Sequence, residues 1–67
     1  MKCIFPLIKA SIEEGNVSVG DFIVALNLSE DEVLMRLSGE KEFDINEAMN
    51  VNKQLFPDVP FEKLFSK

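Results

Sequence analysis

The sequence predicts a small all-α domain, and three observations support that prediction. Apolar residues recur every three or four positions through most of the chain, which is the spacing of amphipathic helices. Several of these stretches follow a Ser or Asp with an acidic residue three positions later, a pattern typical of helix N-termini. Gly15, Gly39 and Pro57 fall between the stretches. Because 67 residues provide one hydrophobic core, we expect a single compact domain over residues 1–67 with four or five short helices.

The first two helices are predicted from apolar spacing and from the residues that begin them. The stretch from Ile4 to Glu14 has helical spacing, and Pro6 suits a first helical turn, where its missing N–H costs little. Ser18 and Asp21 form a variant of the capping box, in which two side chains satisfy the first free N–H groups of a helix. Helix two is therefore expected over about residues 18–27.

Helix three is predicted to follow helix two across a tight turn. Asn27 ends helix two, since Asn is one of few residues that tolerate positive φ. Ser29 and Glu32 form a second capping-box pattern, which places helix three over about residues 29–38. Two short helices joined in this way are the layout of a helix-turn-helix. The side chains expected to face the core from helix three are Val33 and Leu37.

Two further helices are expected in the remainder of the chain. A capping-type signal over Asp44–Glu47 opens helix four, and Phe56 before Pro57 closes it, since the residue before proline avoids helical dihedrals. A last turn over Pro60–Phe65 can pack against the core. The tail from Phe56 to Phe65 could equally complete the core of one chain or form a contact between two chains.

Composition excludes several classes of function. The chain has one cysteine, Cys3, and no histidine, so it offers neither an intrachain disulfide nor a Cys/His zinc cluster. Capping explains the positions of the carboxylates, and no Gly-rich phosphate loop is present. We therefore expect no catalytic residues, no metal, no cofactor and no enzymatic activity. No leader peptide or membrane span is predicted, and a cytoplasmic location is expected.

Taken together, these motifs resemble the lambda-repressor-like helix-turn-helix proteins of the Cro and XRE type, found in phage and bacterial regulators. The resemblance covers nearly the whole chain, and a subset of small phage-type regulators shares the tail pattern. It implies a transcriptional regulator that binds double-stranded operator DNA, with a homodimer placing two reading helices about 34–36 Å apart. The segments that carry the resemblance are Phe22 to Leu26, Asn27-Leu28-Ser29, Val33 with Leu37-Ser38-Gly39, Phe43 to Ala48, Leu55 to Asp58, and Leu64-Phe65.

The chain departs from the family pattern on helix three. Carried over by position, the base-reading residues would be Glu30, Asp31, Leu34 and Met35, where the family commonly has Gln, Ser, Thr, Arg or Lys. The formal net charge of −5 also gives no general attraction to DNA. An alternative function is therefore a helix-turn-helix-shaped module that binds a protein partner at helix three and has lost DNA reading.

The acidic and apolar residues of helix three each allow several interpretations. Glu30 and Asp31 suit the positive end of the helix dipole, but they could also accept a hydrogen bond from cytosine N4 or meet a basic protein. Met35 is predicted to be exposed. Leu34 could extend the core, form an apolar patch with Met35 for a protein partner, or contact a thymine methyl group.

The cations near helix three define a possible phosphate contact. Arg36, Ser38 and Lys41 form the only plausible set, although Arg36 could instead pair with Glu32 or Glu40, four residues away, on the surface. The full set of candidate DNA- or partner-binding residues is Ser29, Glu30, Asp31, Leu34, Met35, Arg36, Ser38 and Lys41.

Overall fold

The computed structural model describes all residues from Met1 to Lys67 and contains five α-helices and no strand. The predicted all-α fold class is confirmed, in its five-helix form. The helices are α1 Pro6–Glu13, α2 Val19–Leu26, α3 Glu30–Ser38, α4 Ile45–Leu55 and α5 Phe61–Leu64.

Helix α1 is shorter than the stretch from Ile4 to Glu14 that apolar spacing predicts. Phe5 is extended, with φ −105° and ψ 103°, and Pro6 occupies the first helical position. The proline ring disfavours helical dihedrals in the residue before it, so the helix begins at Pro6. The residues before Pro6 form an arm instead, and the Ile4 N–H donates to the Leu37 carbonyl at 2.9 Å, which ties this arm to the end of α3.

Two complete capping boxes fix the starts of α2 and α4, as the sequence predicts. At α2, the Asp21 N–H donates to Ser18 Oγ at 3.2 Å and the Ser18 N–H donates to the Asp21 carboxylate at 2.9 Å. At α4, the Glu47 N–H donates to Asp44 Oδ1 at 2.8 Å and the Asp44 N–H donates to Glu47 Oε1 at 3.1 Å. Each box satisfies two backbone N–H groups that a helix start would otherwise leave without partners.

The turn between α2 and α3 has the predicted left-handed residue. Asn27 has φ 55° and ψ 45° and is the one residue other than glycine with positive φ. Ser29 then caps α3 by accepting the Glu32 N–H at 3.2 Å. The predicted box at this end is only half formed, because the Glu32 carboxylate bonds to Arg36 and Lys41 instead of the Ser29 backbone. The three elements form a helix-turn-helix-like unit.

The core takes buried side chains from every helix. Phe56 and Leu64 are among them, so the tail completes the core of a single chain. The rings of Phe5, Phe43 and Phe65 pack against one another with centroids 5.5–5.8 Å apart, joining the arm, the α3–α4 loop and the end of the chain. The central cluster comprises Phe5, Ile8, Phe22, Val33, Leu37, Val51, Phe56 and Leu64.

The packing leaves one side of α3 free. Helix α2 packs against both α3 and α4, and α1 packs against α5. Val33 and Leu37 lie on the inner side of α3 and are buried in the core, as predicted. The opposite side of α3 faces outward. None of the helices has the length and apolar character needed to cross a membrane.

Candidate interface on helix α3

The outward face of α3 brings together most of the residues that sequence reasoning selects. Glu30 and Asp31 are exposed in its first turn, and Leu34, Met35 and Ser38 follow along the same side. The structure places these five side chains along one open groove, which we call the α3 groove. Its complete lining is Met1, Lys2, Val19, Glu30, Asp31, Leu34, Met35, Ser38 and Glu40.

The apolar floor of the α3 groove is separate from the core. Leu34 and Met35 are half-buried, and neither belongs to the set of side chains packed against the core cluster. Leu34 therefore does not extend the core. Met35 is less exposed than predicted, because the N-terminal arm runs beside α3 and places Met1 and Lys2 along the same groove.

Arg36 lies inside the molecule, although a surface position was considered for it. The residue is only 6% exposed. Its guanidinium donates to both carboxylate oxygens of Glu47, at 2.8 and 3.2 Å, and to the Glu32 carboxylate and carbonyl at 2.7 and 3.0 Å. The predicted pair with Glu32 forms, whereas Glu40 makes no bond to Arg36. Hydrogen bonding of the guanidinium to two carboxylates leaves it little surface to offer a phosphate.

Glu47 is a partner that the sequence reasoning missed. It was assigned only to the cap of α4, yet its Oε1 atom accepts from both the Asp44 N–H and Arg36 Nε. One signal was available: Arg36 is three residues after the buried Val33, on the same side of the helix. That spacing predicts an inward Arg36, which then requires a carboxylate from another element.

Protonation in this cluster follows from the same contacts. The hydrogen bond from Arg36, and then the one from Lys41, holds the pKa of Glu32 below its usual value of 4.5. Hydrogen bonds to Glu47, and then to Glu32, raise the pKa of Arg36. No buried side-chain nitrogen or oxygen lacks a hydrogen-bond partner. Both shifts favour the charged forms of Glu32 and Arg36.

Each of the three remaining polar candidates already makes a hydrogen bond within the chain. Ser29 is exposed and caps α3, while Ser38 Oγ donates to the Met35 carbonyl at 3.0 Å. The Lys41 side chain is 55% exposed and bonds to Glu32 at 3.3 Å, so it keeps most of its surface. Neither Ser29 nor Lys41 lines the groove. Lys2 does, and it is a cation that helical patterning could not place because it lies in the arm.

The electrostatics of the α3 groove are acidic. Its lining has three side-chain carboxylates, those of Glu30, Asp31 and Glu40, against one side-chain ammonium group, that of Lys2. None of the three carboxylates forms a salt bridge. Elsewhere, no three His, Cys, Asp or Glu side chains are grouped so that they could hold a metal ion.

Comparison with protein-family models, with curated proteins and with solved structures found no match. What can be said about function therefore rests on the helix-turn-helix-like geometry and on the chemistry of the α3 groove.

Proposed function

We propose that this protein is a phage-type or bacterial transcriptional regulator that binds double-stranded DNA through the outward face of α3. One observation carries the proposal: α2, the left-handed Asn27 turn and the Ser29-capped α3 present a helix whose outer side chains are not used by the core. The major groove of B-DNA is about 12 Å wide and admits an α-helix presented in this way. Two such helices in a dimer would reach successive major grooves.

The side chains on α3 set the expected contacts. The free carboxylates of Glu30 and Asp31 are acceptors and suit the cytosine N4 amino group. Leu34 and Met35 offer apolar surface to a thymine methyl group. Lys2 and Lys41 are the nearby cations with exposed surface, and they are the candidates for phosphate contacts.

The excess of carboxylates on the α3 face predicts weak but selective binding to DNA. Phosphate neutralisation supplies most non-specific affinity, and this face provides few cations for it. Carboxylates close to phosphates oppose binding unless they gain a hydrogen bond from a base. The protein should therefore have a modest total affinity for DNA and a strong preference for sites that contain cytosine.

The experiment removes the carboxylates without changing side-chain size. Duplexes selected from a random pool by the natural protein are compared in binding to the Glu30→Gln, Asp31→Asn variant. We expect the variant to bind arbitrary DNA more tightly, through lower repulsion, and to lose preference at cytosine positions. The matched control is Glu13→Gln, Glu14→Gln, which removes two exposed charges outside the α3 groove. Equal effects of the two double variants would mean that α3 does not read bases.

A second function is favoured by a specific observation. Because Arg36 is buried, the α3 groove has an apolar floor with unpaired carboxylates beside it. Such a groove suits a basic amphipathic segment of a protein. Charge reversal with Glu30→Lys, Asp31→Lys distinguishes the two functions. DNA binding that appears only in this variant would mean that the natural protein is not a DNA reader. Loss of DNA binding in Leu34→Asp, Met35→Asp, with the fold retained, would support DNA reading.

A further inference from the structure

A second apolar surface lies on the outer side of α4, away from the α3 groove. Ile45 is 64% exposed and Met49 is 55% exposed, one helical turn apart. Neither belongs to the core cluster or packs against it. Together with Phe61 of α5 they line a shallow groove, which we call the α4 strip. Its lining is Ile45, Asn46, Met49, Asn50, Asn52, Lys53 and Phe61.

The charge of the α4 strip differs from that of the whole chain. The chain carries a formal net charge of −5, yet the strip contains three amides, one lysine and no carboxylate. Two copies of such a chain repel each other over most of their surfaces. The repulsion is weakest where acidic residues are missing, and the apolar side chains of the strip gain from burial in that same place.

The two ends of α4 are complementary to each other. Lys53 of the strip lies in the last turn of α4, and Asp44, which is exposed just outside the strip, caps the first turn. An antiparallel pair of α4 helices brings each end beside the opposite end of the other copy. The lysine ammonium then meets a carboxylate, and the helix dipoles oppose each other favourably. A surface with this pattern is complementary to itself under a twofold rotation.

We propose that the α4 strip docks a second copy of this chain, with the two α4 helices antiparallel about a twofold axis near Met49. In a twofold interface, a residue on the axis meets its own copy, so the two Met49 side chains pack together. Ile45 then lies beside Lys53 of the partner subunit. The contact is independent of DNA and holds whether or not the α3 groove reads bases.

The first experiment measures mass in solution without DNA. Sedimentation equilibrium over a concentration series should show a monomer–dimer equilibrium for the natural chain. Met49→Glu and Ile45→Glu should each weaken the dimer at least about tenfold, which corresponds to 1.4 kcal/mol. Both positions lie outside the core, so at concentrations where the natural chain is monomeric the variants should retain its thermal unfolding curve. The matched control is Val24→Glu, since Val24 is 83% exposed on α2 and outside the strip.

The second experiment tests the position of the axis. In a Cys3→Ser background, the Met49→Cys variant should form a disulfide-linked dimer on mild oxidation, because the two side chains meet at the axis. The Val24→Cys variant in the same background should form no disulfide-linked dimer on the same oxidation, because Val24 lies outside the strip. A monomer at every concentration, or a dimer unchanged by Met49→Glu, would overturn the proposal. Failure to bind DNA with the dimer intact would affect only the proposed function.

Discussion

At the scale of single residues, the carboxylate of Glu47 has two structural roles. It closes the capping box of α4 and holds the guanidinium of Arg36 on α3. These two residues are eleven positions apart. A single side chain thus caps the start of α4 and links α4 to α3 by an ion pair. Both helices also pack against α2.

Replacing Arg36 by methionine should destabilise the fold. Met keeps an apolar stem but leaves the Glu47 carboxylate, whose side chain is 17% exposed, without its cation. Loss of one partner of a largely buried ion pair costs about 3 kcal/mol. Chemical denaturation should show this loss in Arg36→Met. The control is Lys41→Met, which removes an exposed ion pair and should cost less than about 1 kcal/mol. Equal costs would contradict the structural role assigned to Arg36.

Acid should weaken the fold through Glu32. The pKa of this carboxyl is lowered in the folded state, first by the hydrogen bond from Arg36 and then by that from Lys41. Its contribution is therefore complete above the unfolded pKa, near 4.5, and is lost as pH falls through the lower folded pKa. Unfolding free energies measured from neutral pH downward should decline in that window. The decline should be shallower in Glu32→Gln, and an identical profile would contradict the assignment.

At the scale of elements, the turn between α2 and α3 depends on the conformation of Asn27. A left-handed backbone costs most residues with a Cβ atom about 1–2 kcal/mol, and Asn less. Asn27→Ala should therefore lower the free energy of unfolding by about 1 kcal/mol, while Asn27→Gly should change it little. Thermal and chemical unfolding check both variants. A well-tolerated alanine would show that the turn adopts another conformation.

The helices could be predicted because their boundaries are encoded locally. Ser18 with Asp21, and Asp44 with Glu47, satisfy N–H groups within three residues of one another, so sequence spacing alone reveals them. The correction at α1 has a local cause as well, since Pro6 restricts Phe5. Apolar spacing placed the start of the helix two residues too early, at Ile4, whereas Pro6 disfavours helical dihedrals in Phe5 and the helix begins at Pro6.

The candidate site was harder to predict because its details arise from contacts between elements. The acidic and apolar face of α3 follows from helical periodicity. The burial of Arg36 depends on Glu47 from another helix, and the partial cover of Met35 depends on the arm that Ile4 ties to Leu37. The spacing within α3 indicates that Arg36 faces inward, but it does not specify that Glu47 is its partner or that the arm lies beside Met35.

At the scale of the whole molecule, the fold has one core and two surfaces that differ in charge. The core is filled by all five helices, including the tail. The α3 groove is apolar and acidic, and the α4 strip is apolar without carboxylates. A dimer through the strip would present two α3 faces at once. The two exposed lysines near α3 in each chain, Lys2 and Lys41, would then give about four phosphate contacts.

The most direct measurement of the central proposal is equilibrium binding to mixed duplex DNA fragments at two salt concentrations. We expect binding at about 50 mM salt that weakens roughly a hundredfold at about 200 mM, as neutralisation of about four phosphates predicts. Fluorescence anisotropy of labelled fragments provides the readout. Absence of binding at the lower salt, or affinity that does not change with salt, would contradict DNA recognition by α3 and leave the α3 groove as a surface for a basic protein segment.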